Sequence, residues 1–201
     1  MIRPLLAFSL LALGGCISLV PPAKTLPPRY TMQANDIMGP TGEPLDVTLA
    51  INDPRSEAAF NTARIAVMTA PNELRYLPDA EWADRGPLLM SILLERSFEE
   101  HRRLLAVSDR VALPVANYVL YTDISAFHLD RSVEPHTARV SYRVRLENRR
   151  GRVLGAERFE ATRTLTSSEP RDAAHAIGQA AADTAEAASA WGMELIALEE
   201  E

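Results

Sequence analysis

The stretch Ala138–Glu147, ARVSYRVRLE, decides the fold. Ala138, Val140, Tyr142, Val144 and Leu146 alternate with Arg139, Ser141, Arg143, Arg145 and Glu147. Successive side chains of a strand point to opposite faces, so a period of two means one packed face and one solvated face. That is the pattern of an antiparallel strand on a sheet covered from one side. Asn148-Arg149-Arg150-Gly151 follows as a hairpin loop. Val153–Leu165 returns as a second long strand, with Gly155 placed for a bulge. Before the stretch, Tyr118–Leu129 is a third long run of β-formers.

Further outward, Asp46–Ile51 and Arg64–Thr69 alternate as strands, and Glu73–Leu77 is another, entered through a turn at Pro71-Asn72. Pro87 opens a helix running to about Arg103, with Asp84 placed to cap it and Leu89, Met90, Ile92, Leu93, Leu94 and Phe98 apolar. A last helix starts at Ser168-Glu169-Pro170; Ile177, Ala181, Thr184, Ala188, Trp191 and Leu195 recur along it at helical spacing. Its apolar stripe is mostly alanine, which lets it lie close against a sheet, and Trp191 falls on the buried side. The expectation is an α+β domain over residues 30–201: a mainly antiparallel sheet with two helices packed on one face. No internal repeat or second-domain boundary is visible.

The chain has 201 residues, 47% hydrophobic and 24% charged, the balance of a globular protein. The net charge of −6 argues against nucleic acid as a partner, because phosphate binding favours a basic surface. The aromatic fraction of 6% leaves few stacking platforms, and the single cysteine excludes a disulfide framework.

That cysteine is the informative one. Arg3 is followed by an apolar run from Leu5 to Leu13, too short to span about 30 Å of hydrocarbon. The run ends Leu13-Gly14-Gly15-Cys16, which resembles the lipobox of bacterial lipoproteins. Residues 1–15 are then a signal peptide. Cys16 would carry a thioether-linked diacylglycerol and an N-acyl chain, palmitate or similar, and two or more chains hold a protein stably at a membrane. Ile17 stands where an aspartate would suggest inner-membrane retention, which points to the outer membrane. The rest of residues 16–29 contains Pro21, Pro22, Pro27 and Pro28 and reads as an extended tether at about 3 Å per residue.

Signs of catalysis are absent. His101, His128, His136 and His175 show no local metal-pair spacing, and there is no nucleophile elbow, phosphate loop or HExxH. His128 and His136 flank a stretch with Asp130 and Glu134 that reads as a solvated loop rather than a metal site. The expectation is therefore no enzyme, no catalytic residue, no metal and no cofactor beyond the lipid on Cys16. The candidate partner surface is the loop before the first helix, through Trp82, Asp84 and Arg85; Trp82 can equally plug the edge of the core. Arg139, Arg143 and Arg145 share a strand face, with Arg158 and Arg163 on the next strand. They form either a patch for an acidic partner or lipid headgroup, or a solvated face balanced by Glu147, Glu157 and Glu160.

Several short motifs, in order, carry a family resemblance: Tyr30-Thr31-Met32, Arg64-Ile65-Ala66-Val67, Tyr76-Leu77, Glu81-Trp82-Ala83-Asp84-Arg85, and the helix from Pro87 to Glu100. Tyr118-Val119-Leu120, Phe127, Arg158-Phe159-Glu160-Ala161 and the alanine-rich helix with Trp191 continue it. The chain resembles the ABC-type transport auxiliary lipoproteins, relatives of the lipoprotein of the paraquat-inducible (Pqi) intermembrane transport system. The resemblance implies a periplasmic lipoprotein on the outer membrane of a Gram-negative bacterium. Such a protein works beside an ABC transporter and its substrate-binding protein of the mammalian-cell-entry (MCE) type in lipid transport. Homo-oligomers would match the ring form of MCE proteins. Two rivals stand beside this docking role: a periplasmic lipid-binding carrier, which needs a cavity between helices and sheet, and an envelope-assembly scaffold with no transport role.

Overall fold

The computed structural model describes residues 26–35 and 42–201. Its elements are β1 (Arg29–Tyr30), β2 (Leu45–Ile51), β3 (Arg55–Ser56), β4 (Arg64–Ala70), β5 (Glu73–Trp82), α1 (Gly86–Glu99), β6 (Leu104–Asp109), β7 (Tyr118–Asp130), β8 (Thr137–Asn148), β9 (Val153–Thr164) and α2 (Pro170–Glu200). The α+β class holds, with both helices on one face of an open sheet. Cys16, its lipobox residues Leu13, Gly14 and Gly15, and most of the tether lie outside the described residues; the sheet takes up the chain at Arg29, the tether's last position.

The β7–β8–β9 meander forms the centre. β7 pairs with β8 along its whole length, from Tyr118 opposite Asn148 to Asp130 opposite Thr137, and β8 pairs with β9. Asn148 sets the second hairpin: its side-chain oxygen accepts the backbone N–H of Arg150 at 3.0 Å and of Arg152 at 3.1 Å, while Gly151 takes φ 76°. The bulge falls where Gly155 suggested. Leu146 faces Gly155 while Glu147 faces Val153, so Leu154 is the extra residue.

The other edge of β7 makes the sheet mixed. It is shared in turn by β2 (Leu49 opposite Tyr118), β3 (Arg55 opposite Asp123) and β4 (Ala66 opposite His128), all parallel. One arm then adds β6, parallel to β2, and the other adds antiparallel β5 and parallel β1. The antiparallel ladders are the longest, and the parallel ones come from connections that recross the sheet. β6 lies just beyond the expected first helix, in a stretch to which the sequence reading gave no element. α1 stops at Glu99 and Arg102 turns the chain at φ 54°, after which Leu104–Asp109 runs as a strand. The run Leu104-Leu105-Ala106-Val107 continues the apolar pattern of the helix, and periodicity cannot separate the two in so short a segment. Asp84 does not cap α1: its carboxylate accepts the N–H of Arg85 at 2.7 Å, and the first turn rests on Pro87.

The alanine stripe of α2 does what its size allows. Ala180, Ala181, Ala185 and Ala188 are fully buried. Two glycines permit closer approach than alanine could. A Cβ on Gly192 would lie 2.7 Å from Cζ of Phe98 on α1, and one on Gly155 would lie 2.7 Å from Cδ1 of Leu195 on α2. Side chains this tightly interlocked leave little free volume between helices and sheet. Among the polar groups inside, His101 Nε2 meets Ser189 Oγ at 3.0 Å, while the buried Tyr142 hydroxyl makes no hydrogen bond among the described residues. Trp191 sits differently from its expected place in the core. It is half-buried at the β9 margin, edge-on to Phe159 with ring centroids 6.0 Å apart.

Candidate interaction surfaces

The loop joining β5 to α1 splits the expected partner contact. Trp82 is 1% exposed; its ring packs on Phe127 at 5.5 Å between centroids, and its backbone N–H donates to the Ala63 carbonyl at 2.7 Å. It is the plug of the core edge and offers nothing to a partner, because Trp82 still belongs to β5 and its side chain points to the helix side. Asp84 and Arg85 do face solvent. Arg85 Nη1 donates to Asn61 Oδ1 at 3.3 Å, which ties the loop to the polar connection before β4.

The arginine face is only partly balanced. Arg139 pairs with Glu160 at 2.9 Å and Arg145 with Glu147 at 2.7 Å, and the Arg145 guanidinium lies 4.7 Å from the Tyr121 ring centre. Two expected members leave this face. Arg163 turns to the helix side, where it pairs with Asp183 of α2. Glu157 stands opposite the buried Val144, so it cannot offset the arginines. Arg143 and Arg158 are left directly opposite each other across β8 and β9, and neither guanidinium is in an ion pair among the described residues.

Two surface features carried no motif. The connection from β6 to β7 seats Leu113 and Ala116 on Ala50, Val119 and Tyr121, and holds Val111 91% and Val115 72% exposed. The segment from Thr31 to Asn35 crosses α2, with Met32 buried against Gly178 and Asn35 Nδ2 donating to Glu186 at 2.8 Å. Beside it opens a cleft of about 1130 Å³, bordered by Arg29, Arg171, His175 and Gln179. Composition alone flagged Val111 and Val115 as apolar; only the fold shows them outside.

The histidines divide by burial. His128 lies within the expected strand, as a buried β7 residue whose ring stacks on Phe60 at 5.8 Å. His136 pairs with Glu134 at 3.0 Å. No group of three potential metal ligands occurs among the described residues. Burial pushes His128 below its ordinary 6.5, with Arg139 adding to the fall and Asp130 opposing it. Burial likewise lowers His101, helped by Arg103 and opposed by Glu186. Both fold as neutral rings, while the unfolded chain takes up a proton as pH falls through about 6.5. Stability is therefore full above that value and declines as pH drops toward the lower folded pKa. We expect Tm to fall between pH 7.5 and 5.5, and His101→Gln to flatten part of that fall. An identical slope in the variant would show that His101 has no share in it.

These surfaces belong to a recognisable lineage. The sequence profile of the ABC-type transport auxiliary lipoprotein component family matches residues 30–188. An uncharacterized protein of Bradyrhizobium diazoefficiens is 26% identical over 162 residues, which is 81% of this chain and 44% of that protein, so the chain spans less than half the relative's length. The crystal structure of a Xanthomonas campestris protein of family DUF330 superposes with a TM-score of 0.77 at 20% identity, covering 86% of this chain and 99% of the other. A second crystal structure, of an uncharacterized protein, reaches a TM-score of 0.62 at 10% identity, covering 80% and 97%. At those identities the likeness shows the fold. The profile match, spread from β1 to Ala188 in α2, shows more: the chain belongs to the ABC-type transport auxiliary lipoprotein component family.

Proposed function

We propose that the chain is a non-catalytic docking lipoprotein of an ABC-type intermembrane lipid transport system. Lipid on Cys16 anchors it to the periplasmic face of the outer membrane, and the folded domain receives an MCE-type substrate-binding protein. The family match over residues 30–188 carries this reading, since it ties the whole domain to ABC-type transport. Three further facts support it. Leu13-Gly14-Gly15-Cys16 precedes the domain at tether distance, and no helix among the described residues is long and apolar enough to cross a membrane. Alanine and glycine packed on Phe98 and Leu195 favour docking over carriage of a lipid between helices and sheet. The exposed Asp84 and Arg85, the Val111–Val115 crest and the arginine face supply contact chemistry.

The test is affinity capture of the full chain from cross-linked native membranes. An MCE-domain protein and subunits of its transporter are the expected co-purifying species. Capture that yields neither, together with unchanged lipid distribution after deletion of the gene, overturns the docking reading.

A further inference from the structure

We propose that the groove between the free edge of β6 and α1 binds an extended segment of another protein, carrying aliphatic and basic side chains, as an added strand. β6 pairs only with β2 among the described residues. Arg110 N–H donates to the Ile51 carbonyl at 3.2 Å, so the even-numbered residues leading up to it bond to β2. The backbone N–H and C=O groups of Leu105 and Val107 therefore point outward, with no strand across from them. Nothing in residues 104–108 blunts this edge, since they include no proline, glycine or charge. Asp109 ends the strand: its carboxylate accepts the N–H of Val111 at 2.6 Å and of Ala112 at 2.9 Å. The chain then turns onto Ala50 and Val119 instead of covering the edge. β9, the longer edge, is different. Arg158 and Glu160 line it, and the Arg158 N–H already donates to Glu157 Oε1 at 3.0 Å.

The groove says what kind of strand fits it. A hollow of about 170 Å³ lies beside the edge, lined by Phe98 and Glu99 of α1 and by residues 104–107. Leu105 is 67% exposed there, and Ile92 of α1 is exposed as well. Ile92, Glu95 and Glu99 stand three and four residues apart, so they share one stripe of α1. That stripe borders β6, because Ser108 Oγ donates to Glu95 Oε1 at 3.3 Å. Neither Glu95 nor Glu99 is in an ion pair among the described residues. Burial, with Glu99 and Asp109 adding to it, raises the half-buried Glu95 carboxyl above its ordinary value, against the pull of Ser108 and Arg96. Carboxyl groups short of cations, set beside Leu105 and Phe98, call for basic and aliphatic side chains on one face of the incoming strand. Strand addition works this way: main-chain bonds give affinity, and pockets for alternate side chains give selectivity.

The experiment titrates the full chain in detergent with a labelled peptide, acetyl-VTKTVTKTV-amide, whose valines and lysines share one face of a strand. Binding should saturate at micromolar peptide, and the acidic counterpart VTETVTETV should bind about ten-fold more weakly. Leu105→Asp should weaken binding about ten- to a hundred-fold and Glu99→Lys about three- to ten-fold. Both side chains are exposed, so folding is preserved. Methylating the peptide's amide nitrogens one at a time should alternate between lost and retained binding, because every second N–H of an added strand faces β6. Amide exchange at Leu105 and Val107 should slow in the complex. No saturable binding, equal binding of the acidic peptide, or indifference to both substitutions overturns the proposal. So do Leu105 and Val107 amides that are as protected without peptide as with it, the mark of an edge covered by the chain's own residues or by a second copy. The proposal does not rest on the docking role. Peptide binding by a chain that captures no transport component keeps the groove and removes that role; capture without peptide binding does the reverse.

Discussion

Replacing Trp82 with alanine should destabilise the domain by about 3–5 kcal/mol, the cost of removing a large buried aromatic from a core that cannot fully collapse around the void. Trp82 is 1% exposed and packs on Phe127, and the chain turns from β5 into α1 immediately after it. A domain of this size holds about 5–15 kcal/mol in all, so the loss is a large share. At about 2–4 °C per kcal/mol, Tm should drop by about 6–20 °C. Asp84→Ala and Arg85→Ala, two and three residues on, should change stability by less than about 0.5 kcal/mol, since both side chains are exposed. Thermal melts of the three variants decide the matter. Equal small shifts in all three would mean that Trp82 is a surface residue after all.

That contrast shows where the sequence was legible. The strands of the β7–β8–β9 meander follow the alternation at Ala138–Glu147 closely, because a sheet with one covered face writes its period into every second residue. The alanine stripe of α2 was equally plain and correctly implied close packing. Two kinds of information were missing. Parallel pairing leaves no local trace: nothing in Leu49–Ile51 or Ala66–Met68 says that both lie beside β7, since the connections that place them run through Pro54 and the hairpin to β5. Solvent exposure of individual large side chains was the other gap. Trp82 closes β5 and Trp191 lies within α2, and the first is sealed by Phe127 while the second is left half open beside β9. The arginine face needed register as well as period. Counted by type, Glu157 balances Arg158; placed by register, it is on the opposite side of the sheet.

Cys16→Ser should remove the protein from the outer-membrane fraction, the largest change expected of any single substitution here. The chain has one cysteine, so no other thiol can take the lipid, and a serine hydroxyl cannot form the thioether. Two or three acyl chains make attachment effectively stable, whereas the exposed surface of the domain offers no spanning helix among the described residues to substitute for them. The variant should keep its apolar leader from Leu5 to Leu13, because lipid transfer precedes cleavage at this type of site. Its fold should not change: Cys16 lies 13 positions before Arg29, the first residue paired in the sheet, so stability should stay within about 0.5 kcal/mol of wild type. Intact mass of the wild-type N-terminus reads the modification directly, as a chain beginning at Cys16 and heavier by its acyl groups. Wild-type protein carrying an unmodified thiol, or a Cys16→Ser protein still pelleting with the outer membrane, would refute the anchor.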